Sequence, residues 1–434
     1  MKIYIETLGC SKNQVDSEKI SYILKENNYE IVDSPDDASC IIVNTCAFIK
    51  KAREEAINTI FELLKYKEKK CKKFIVCGCL AQKYYKEIKE EIKEVDAIFG
   101  IGDISKIVEV IKENRDLCIP DFKEDNFTKR EITGFPGTAY LRISDGCNNY
   151  CSYCSIPSIR GNLRSRSKYS ILKELEFLKS KDIKEIILIA QDTTNYGLDL
   201  TNKRELKNLI LDIEKNLEKE DWLRILYMHP DHIDDELLYS LSESRNFIPY
   251  FDIPFQSGSD RILKLMNRKG NSKNYLKLLE KIRKKFKNPV IRSTFITGFP
   301  SETEEDHQKS LEFIKMANID WVGGFEYSEE EGTKAIEIKN FIKERTKKKR
   351  LKLLLDIAEE ISYKNLQRFL NKKERVIIEE KIENESLYLG RFYGQAPEVD
   401  GLTVIESEEI ELKPGNFYEV TLKKLNGKDF FAFL

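Results

Sequence analysis

Three cysteines lie close together in the segment SDGCNNYCSYCSIP: Cys147, Cys151 and Cys154. A closed four-iron cluster takes four protein thiolates, so three would leave one iron open to a small molecule. Catalytic metal sites keep a position free in the same way. A structural zinc site is the alternative, but it needs four ligands, and no fourth partner is close in sequence. The spacing therefore favours an iron–sulfur cluster with an open iron.

A second set of cysteines is predicted from positions at the ends of strands rather than from spacing along the sequence. Cys10, Cys46 and Cys79 come directly after the apolar segments 2–8, 40–45 and 73–78. In open α/β sheets, ligands bind at the carboxyl ends of the strands. These three thiols could therefore share a second cluster. Spacing alone leaves the alternative, three ordinary cysteines, equally open.

The other four cysteines do not fit either set. Cys40 begins a predicted strand, Cys77 lies within one, Cys71 precedes one and Cys118 falls in a polar stretch. We interpret them as buried or incidental thiols, which is how free cysteine usually behaves.

Composition and charge limit the possible functions. The 434 residues are 41% apolar, and 73 Lys and Arg nearly cancel 74 Asp and Glu, so no overall field attracts nucleic acid or membrane. The amino terminus reads as a strand, not a signal peptide, and no apolar run could span a bilayer. We therefore expect a cytoplasmic protein without membrane partners, where ten cysteines indicate metal binding rather than disulfides.

Alternating elements must position these cysteines. Residues 1–120 predict strands at 2–8, 29–33, 40–45, 73–78 and 95–100, with helices between them, such as 51–67. This alternation is typical of an α/β fold with a doubly wound parallel sheet. The polar segment 116–138 is interpreted as a linker.

A second alternating series occupies residues 133–368. Its six predicted strands are 139–144, 185–190, 223–228, 250–255, 290–296 and 321–327. They indicate a partial (β/α) barrel of about six units, with Cys147 after its first strand, and a long helix over 337–368. Residues 369–434 change to short strands separated by Gly and Pro, which predicts a small all-β barrel.

The cysteine spacing, with Tyr153 before the last cysteine, is similar to the radical S-adenosylmethionine signature. The whole chain resembles the methylthiotransferase family through ETLGCSKNQVDSE, NTCAFI, CGCLAQ, the radical barrel and a carboxyl-terminal TRAM barrel. This resemblance implies two 4Fe–4S clusters and S-adenosylmethionine. By the family's pattern, Cys10, Cys46 and Cys79 hold the auxiliary cluster, and Cys147, Cys151 and Cys154 hold the radical cluster.

The resemblance also implies a mechanism. S-adenosylmethionine on the open iron is cleaved by one electron to a 5′-deoxyadenosyl radical, which takes a hydrogen atom from the substrate. The auxiliary cluster supplies the methylthio group. An electron donor and a sulfur donor are required, and the sequence identifies neither.

Two branches of the family differ in substrate. One modifies an aspartate of ribosomal protein S-twelve, and the other modifies adenosine in transfer RNA. The segments 154–167, 189–197, 227–232, 325–335 and 395–401 resemble the ribosomal-protein branch. Three positions depart from its pattern: Ser257, Ser301 and Gln395.

Charge gives an independent argument about the branch. Residues 369–434 contain nine Lys or Arg against thirteen Asp or Glu. An RNA-binding barrel should be basic, whereas an acidic one suits a basic protein partner such as a ribosomal protein. We interpret the basic run over 343–352 as the solvated face of a helix, and contact with ribosomal RNA is the alternative. We therefore expect nucleic acid contact at most through the ribosome.

Further polar residues follow the predicted barrel strands. By position, Tyr153, Gln191, Asp192, Gln256 and Gly298 are candidates for cofactor binding, although turn or structural roles are equally open. For His229 and His232 we favour a structural role over a metal site. Arg164 and Arg166 could contact substrate or phosphate, or be ordinary surface charges.

A non-catalytic iron–sulfur electron carrier is the alternative from another class. Such carriers usually have Cys-x-x-Cys-x-x-Cys followed by Cys-Pro in a small chain. The predicted barrel behind Cys147 disfavours this alternative.

Overall fold

A computed structural model of the protein describes residues 1–117 and 129–434. Cys118 and much of the predicted linker lie outside these ranges. Among the helices described, none combines the length and the apolar character needed to cross a membrane.

The amino-terminal sheet has five parallel strands in the order β2-β1-β3-β4-β5. The strands are β1 (Lys2–Thr7), β2 (Glu30–Ile31), β3 (Cys40–Thr45), β4 (Lys73–Gly78) and β5 (Ala97–Phe99). The helices are α1 (Ser11–Glu26), α2 (Lys50–Leu64), α3 (Cys79–Lys83), α4 (Tyr85–Glu91) and α5 (Ile107–Glu113).

Helices cover both faces of this sheet because its strands are apolar on both sides. Ile41 and Val43 pack with α2, α3 and α4, while Cys40 and Ile42 pack with α1 and α5 on the opposite face. The predicted doubly wound sheet is confirmed. Cys40, Cys71 and Cys77 are buried within these two cores.

The central sheet has six strands in the order β13-β12-β11-β10-β9-β6, all parallel, so the predicted six-unit partial barrel is confirmed. Its strands are β6 (Thr138–Arg142), β9 (Glu185–Ile189), β10 (Trp222–Ile225), β11 (Phe247–Asp252), β12 (Val290–Thr297) and β13 (Trp321–Glu326). A short antiparallel pair, β7 (Ser144–Asp145) and β8 (Arg164–Ser165), flanks the Cys147 loop.

Nine helices accompany the strands of the central sheet in the described part of the chain. They are α6 (Ile156–Arg160), α7 (Lys168–Ser180), α8 (Leu198–Thr201), α9 (Leu206–Glu214), α10 (Asp235–Glu243), α11 (Asp260–Leu265), α12 (Ser272–Lys285), α13 (Glu304–Ala317) and α14 (Glu344–Leu366). The apolar sides of α7, α9, α10, α12, α13 and α14 pack on one face of the sheet.

The prediction for the long helix was wrong at its start, because α14 begins at Glu344 rather than at 337. Residues 334–337 form a separate short turn in which buried Ala335 donates its backbone N–H to the Ser152 carbonyl at 2.8 Å. The predicted solvated face was also partly wrong, since Lys347 and Arg350 are buried. Arg350 pairs with Glu302 at 2.7 Å.

The carboxyl-terminal strands close into a barrel, as predicted, in the order β14-β15-β16-β18-β17. They are β14 (Lys373–Lys381), β15 (Leu387–Phe392), β16 (Thr403–Glu406), β17 (Phe417–Asn426) and β18 (Asp429–Phe433). Alternating apolar residues fill its interior, including Val376, Ile378, Phe392, Leu422 and Phe430.

This barrel docks on the amino ends of the central strands. Glu185, the first residue of β9, pairs with Arg391 of the barrel at 2.7 Å and with Arg224 at 2.8 Å. Trp321 donates its indole N–H to the Gly394 carbonyl at 2.7 Å. The opposite, carboxyl ends of the strands are therefore left for the site.

Helix α1 joins the amino-terminal sheet to the central one. Its buried acidic side chains pair with central arginines: Asp16 with Arg142 at 2.5 Å, and Glu18 with Arg130 at 2.6 Å. Removing one partner of a buried pair costs about 3–5 kcal/mol, so these contacts fix α1 against the partial barrel.

Candidate active site

The loop carrying Cys147, Cys151 and Cys154 follows β6 and β7 at the carboxyl end of the central sheet. Cys147 donates its backbone N–H to the Gly161 carbonyl at 3.1 Å, and Cys154 donates to the Cys151 carbonyl at 3.0 Å. Gly146 has φ 73°, and a Cβ there would lie 2.0 Å from the Asn162 carbonyl oxygen. All three thiols are partly exposed, as an open iron requires.

Two of these thiols, Cys147 and Cys154, do not ionise easily by themselves. Burial, and then the nearby charges of Asp192 and Cys151, raise the pKa of Cys147 to about 12. Burial and the neighbouring Cys151 also raise the pKa of Cys154 to about 12. A positively charged iron centre would offset both the cost of burial and the neighbouring negative charges, and would deprotonate the thiols. The donor set therefore fits a cluster.

Cys10, Cys46 and Cys79 lie at the carboxyl ends of β1, β3 and β4. Cys10 is the N-cap of α1, Cys46 follows β3, and Cys79 begins α3 directly after β4. A Cβ on Gly9 would lie 2.6 Å from the Cβ of Cys46, so only glycine lets the first turn approach the second so closely. The structure therefore brings these three turns together.

The electrostatics of this second set also indicate proximity. Burial raises the pKa of Cys79 to about 12; the guanidinium of Arg160 opposes this rise, and the charges of Cys10 and Cys46 add to it. Burial would raise the pKa of Cys10 too, but Lys12 and Arg160 lower it. Nearby cations favour thiolate, which is the form that binds iron.

Arg160 links the two cysteine sets, and the sequence reasoning missed it. It ends α6, six residues after Cys154, and is 2% exposed. Its Nη2 lies 3.4 Å from the Cys79 Sγ and donates to Asn13 at 3.1 Å, while its Nη1 lies 3.2 Å from both carboxylate oxygens of Asp145.

A sequence signal for the site was also missed. Gly9, Gly78 and Gly146 each precede a cysteine and each have a positive φ. At Gly78 a Cβ would lie 2.3 Å from the Asn44 Oδ1. The Gly-Cys dipeptide after a strand therefore marks a tight turn that only glycine can make.

Neither set is arranged for a single metal ion. Within residues 1–117 and 129–434, no three His, Cys, Asp or Glu side chains are close enough to hold one ion. A cubane needs a wider cradle, because each thiolate binds a different iron. The geometry thus disfavours the zinc alternative.

Asp192 organises the polar side of the Cys147 loop. It accepts hydrogen bonds from Asn149 and Asn195 at 2.8 Å each, and its carboxylate lies 2.9 Å from the His232 Nδ1. Burial alone would raise the pKa of Asp192, but the hydrogen bond to His232 and the charge of His229 hold it well below its usual value. The carboxylate is therefore ionised.

Tyr153 and the two histidines belong to one buried network. Arg268 donates to the Tyr153 hydroxyl at 3.2 Å, and its Nη1 lies 2.8 Å from the His229 Nε2. The rings of His229 and His232 stack with centroids 4.4 Å apart. Their contacts are to protein groups, in line with the structural role expected for both.

The three other candidates for cofactor binding, Gln191, Gln256 and Gly298, have different local environments. Gln191 donates to Asp145 at 2.9 Å, while its buried Oε1 has no hydrogen-bond partner in the described residues. Gln256 takes a strained φ of 72°. At Gly298 a Cβ would lie 2.4 Å from the Lys347 Cγ, so the close approach there is made by the protein's own side chain.

The expectation that Arg166 is either a substrate contact or a surface charge was wrong. Arg166 is buried and pairs with Glu174 at 2.6 Å. Arg164 is partly exposed, and its Nη2 lies 3.6 Å from Asp145.

The three departures from the family's pattern make local contacts. Ser257 is buried against the Ser310 hydroxyl at 3.2 Å. Ser301 has φ 66°, a conformation that favours glycine. Gln395 is buried in the carboxyl-terminal barrel and accepts from the Thr403 hydroxyl at 2.8 Å.

Three family profiles match successive parts of the chain. Residues 2–100 match the family described as "Uncharacterized protein family UPF0004", residues 141–314 match the Radical SAM superfamily, and residues 372–434 match the TRAM domain. Membership of the Radical SAM superfamily implies an iron–sulfur cluster and S-adenosylmethionine.

Two solved structures resemble this fold. The radical S-adenosylmethionine methyltransferase TsrM from Kitasatospora setae is 12% identical with a TM-score of 0.52, over 74% of this chain and 72% of that one. The cobalamin-dependent S-adenosylmethionine radical enzyme OxsB is 14% identical with a TM-score of 0.52, over 83% of this chain and 56% of that one. At these identities the likeness shows the fold alone.

Curated relatives match over the full length. The "Ribosomal protein uS12 methylthiotransferase RimO" of Thermotoga maritima is 41% identical over 100% of this chain and 99% of the relative. The protein of the same name from Alkaliphilus oremlandii is 39% identical over 100% of this chain and 98% of the relative. With its cysteine turns and three matching profiles, the chain belongs to the RimO methylthiotransferases, a family of radical S-adenosylmethionine enzymes.

Proposed function

We propose that this enzyme adds a methylthio group to the β-carbon of an aspartate residue of ribosomal protein uS12. The observations that support the proposal are two contacts between the amino-terminal and central sheets. Arg160, six residues after Cys154, lies 3.4 Å from the Cys79 Sγ, and Lys12, two residues after Cys10, contacts the Ala190 carbonyl at the end of β9. A substrate held there would have a hydrogen-abstracting centre on one side and a sulfur source on the other.

Cys147, Cys151 and Cys154 are proposed to hold the radical cluster. Bound there, the cluster and S-adenosylmethionine supply the one-electron chemistry that removes hydrogen from an unactivated carbon. The chain's own task is to position these groups and to exclude water. The hydrogen bonds of the loop to Gly161 and of Ser152 to the Met266 carbonyl at 3.1 Å hold its shape.

Cys10, Cys46 and Cys79 are proposed to hold a second 4Fe–4S cluster, whose open iron carries the sulfur to be transferred. The cations Arg160 and Lys12 support this assignment because they favour thiolates at Cys79 and Cys10. Gly9 and Gly78 support it by allowing the three turns to meet.

Five residues at the mouth of the partial barrel are proposed to bind S-adenosylmethionine. The ionised Asp192 suits the cofactor's amino or ribose groups, and the unpartnered Gln191 Oε1 offers a further acceptor. Tyr153, Gln256 and Gly298 would act mainly through the backbone or by shaping the pocket, because Tyr153 is engaged by Arg268 and the Cβ position of Gly298 faces Lys347.

Two observations favour uS12 over transfer RNA as the substrate. The full-length relatives are named for uS12, and the carboxyl-terminal barrel carries nine basic against thirteen acidic residues. Phosphate binding needs the opposite sign, whereas a basic ribosomal protein fits an acidic surface. Such a substrate would place the enzyme in the cytoplasm, with ribosomal RNA contacting at most the exposed basic residues of α14.

The decisive experiment gives anaerobically reconstituted, reduced enzyme either uS12 or an anticodon stem-loop, and measures the mass gained by each. We expect a methylthio mass increment on one uS12 aspartate and none on the RNA. Modification of the RNA alone would contradict the substrate assignment. Failure to cleave S-adenosylmethionine at all would instead favour an electron carrier.

A further inference from the structure

Lys12 is a buried cation where α1 of the amino-terminal sheet meets the end of β9 in the central sheet. It is 8% exposed and lies in the first turn of α1, two residues after Cys10. Its Nζ lies 3.7 Å from the centre of the Tyr227 ring and 3.5 Å from the Ala190 carbonyl oxygen, just beyond β9. The ammonium group therefore faces the mouth of the partial barrel.

Neighbouring buried cations are matched by carboxylates, whereas Lys12 is not. Arg142 and Arg160 both contact Asp16, and Lys19 lies 3.6 Å from Glu174. Within residues 1–117 and 129–434, no carboxylate lies within 4.0 Å of the Lys12 Nζ. The chain offers Lys12 two other negative groups, the Cys10 thiolate and, beyond 4.0 Å, Asp145. Cys10 is proposed to bind iron and Asp145 already pairs with Arg160 at 3.2 Å, so a direct counter-ion for the buried ammonium group is still missing.

Arg268 also lacks a carboxylate partner, but both of its terminal nitrogens make hydrogen bonds, and only its Nε has no partner in the described residues. It contacts the His229 ring, the Tyr153 hydroxyl and the Pro254 carbonyl at 2.8–3.2 Å. Lys12 has one long hydrogen bond and one ring contact. Of the two, Lys12 is the cation still able to bind an anion.

Tyr227, which contacts Lys12, is itself held in an unusual conformation. Its φ is 60°, in the left-handed region that a bulky residue rarely adopts. Its backbone N–H donates to Asp252 at 2.9 Å, and its carbonyl accepts from the Thr193 N–H at 3.1 Å. Strain of this kind is kept at ligand-binding positions, and here it brings the ring beneath the ammonium group.

A second unsatisfied group lies one residue along the chain from the Lys12 contact at Ala190. Gln191 follows Ala190, the residue whose carbonyl contacts Lys12, and the buried Oε1 of Gln191 has no hydrogen-bond partner in the described residues. The Gln191 Oε1 is proposed above as an acceptor for S-adenosylmethionine, so this strand end is where cofactor and substrate would meet, and Lys12 supplies the cation there for a carboxylate.

We propose that Lys12 binds the side-chain carboxylate of the substrate aspartate. This assignment rests on the proposed function, because it takes the substrate to be an aspartate residue held between the two cysteine sets. The carboxylate is one bond from the reacting β-carbon, so an ion pair with Lys12 fixes the carbon that loses its hydrogen atom. Lys12 is thus a specificity-determining residue, and asparagine in place of aspartate would leave its charge unmatched.

The test measures binding separately from turnover. Labelled uS12, and uS12 with the target aspartate changed to asparagine, are titrated with the reconstituted enzyme and S-adenosylmethionine without reductant, following fluorescence anisotropy. We expect the unmodified enzyme to bind the aspartate form about 10- to 100-fold more tightly, as a charge-assisted contact predicts. Lys12→Met should reduce this ratio to about 1, and Lys12→Arg should keep a preference of several-fold.

Because the ratio is taken within each preparation, it does not depend on how fully the clusters are loaded. Lys25→Met is the matched control, since Lys25 is an exposed residue on the same helix that pairs with Glu131. A Lys12→Met enzyme that still prefers aspartate as strongly as the parent would overturn the assignment, as would an equal loss in Lys25→Met. If the parent neither binds nor modifies uS12, the proposed function itself fails.

Discussion

Both cysteine sets lie at the carboxyl ends of strands, but different parts of the chain bring each set together. Cys147, Cys151 and Cys154 lie in one loop whose shape is set by local hydrogen bonds. Cys10, Cys46 and Cys79 come from three separate strand ends and meet only because β1, β3 and β4 are neighbours in the sheet. A local loop can be recognised from spacing, whereas a sheet-edge site can be recognised only through topology.

The largest expected effect is on activity, and it separates the roles of the two cysteine sets. Cys147→Ala should reduce both 5′-deoxyadenosine formation and methylthio transfer to background, because it removes a proposed ligand of the radical cluster. Cys10→Ala should lose methylthio transfer while still forming 5′-deoxyadenosine. Both products are measured by mass spectrometry, with Cys71→Ala, a buried thiol in the sheet core, as the control. Methylthio transfer that survives in Cys10→Ala would remove the distinction between the sets.

A second prediction concerns the end of the central sheet opposite the site. Glu185→Gln leaves the buried Arg224 and Arg391 without their shared carboxylate and should lower the free energy of unfolding by about 3–5 kcal/mol. Its iron content should be unchanged, because the cysteines lie at the other end of the strands. Urea denaturation and iron analysis measure the two effects.

The control for this change is Glu419→Gln, which breaks an exposed pair with Lys373 and should cost less than about 1 kcal/mol. Equal losses in the two variants, or loss of iron in Glu185→Gln, would show that the barrel interface and the site are not separate.

A third prediction sharpens the role of the turns before the cysteines. Gly78 and Gly332 both have positive φ, but a Cβ at Gly78 would lie 2.6 Å from the Thr45 carbonyl oxygen, whereas Gly332 has open space. Alanine at either position costs about 1–2 kcal/mol of backbone strain. In urea denaturation, Gly78→Ala should lower the free energy of unfolding by about 1–3 kcal/mol more than Gly332→Ala does, because the added methyl group overpacks the turn. Gly78→Ala should also lose iron. Equal losses of stability in Gly78→Ala and Gly332→Ala, together with a full iron content in Gly78→Ala, would contradict the account.

The smallest effect is a pH dependence. Burial would raise the pKa of Glu185, but Arg391 and Arg224 lower it from 4.5 to about 2. Its ionised form therefore contributes stability that is complete above pH 4.5 and is lost as the pH falls toward 2. Between pH 5 and pH 3 the free energy of unfolding should fall more steeply in the parent than in Glu185→Gln, and the difference between the two slopes should approach about 1.4 kcal/mol per pH unit, the limit for one titrating group. Parallel declines would contradict the lowered pKa.

Much of the fold could be predicted because its signals are local. Apolar strands such as 40–45 and 185–190, separated by helical periodicity, predicted both parallel sheets and the partial barrel. The start of α14 was wrong because a tertiary contact, from Ala335 to Ser152, interrupts a segment with helical periodicity.

The site was predictable only as far as its cysteines. Arg160 meets Asn13 across 147 residues of sequence, and Lys12 meets Ala190 across 178. No spacing rule connects such positions, because their contact depends on how the amino-terminal sheet docks on the central one. The glycines before Cys10, Cys79 and Cys147 were the one local signal available, and they mark turns rather than chemistry.

The central claim is that each cysteine trio holds its own four-iron cluster. Iron and acid-labile sulfide, measured per chain in anaerobically reconstituted protein, test it most directly. The account predicts about eight irons in the parent and about four in each of Cys10→Ala and Cys147→Ala. About four irons in the parent, with the same four retained in Cys10→Ala, would contradict it.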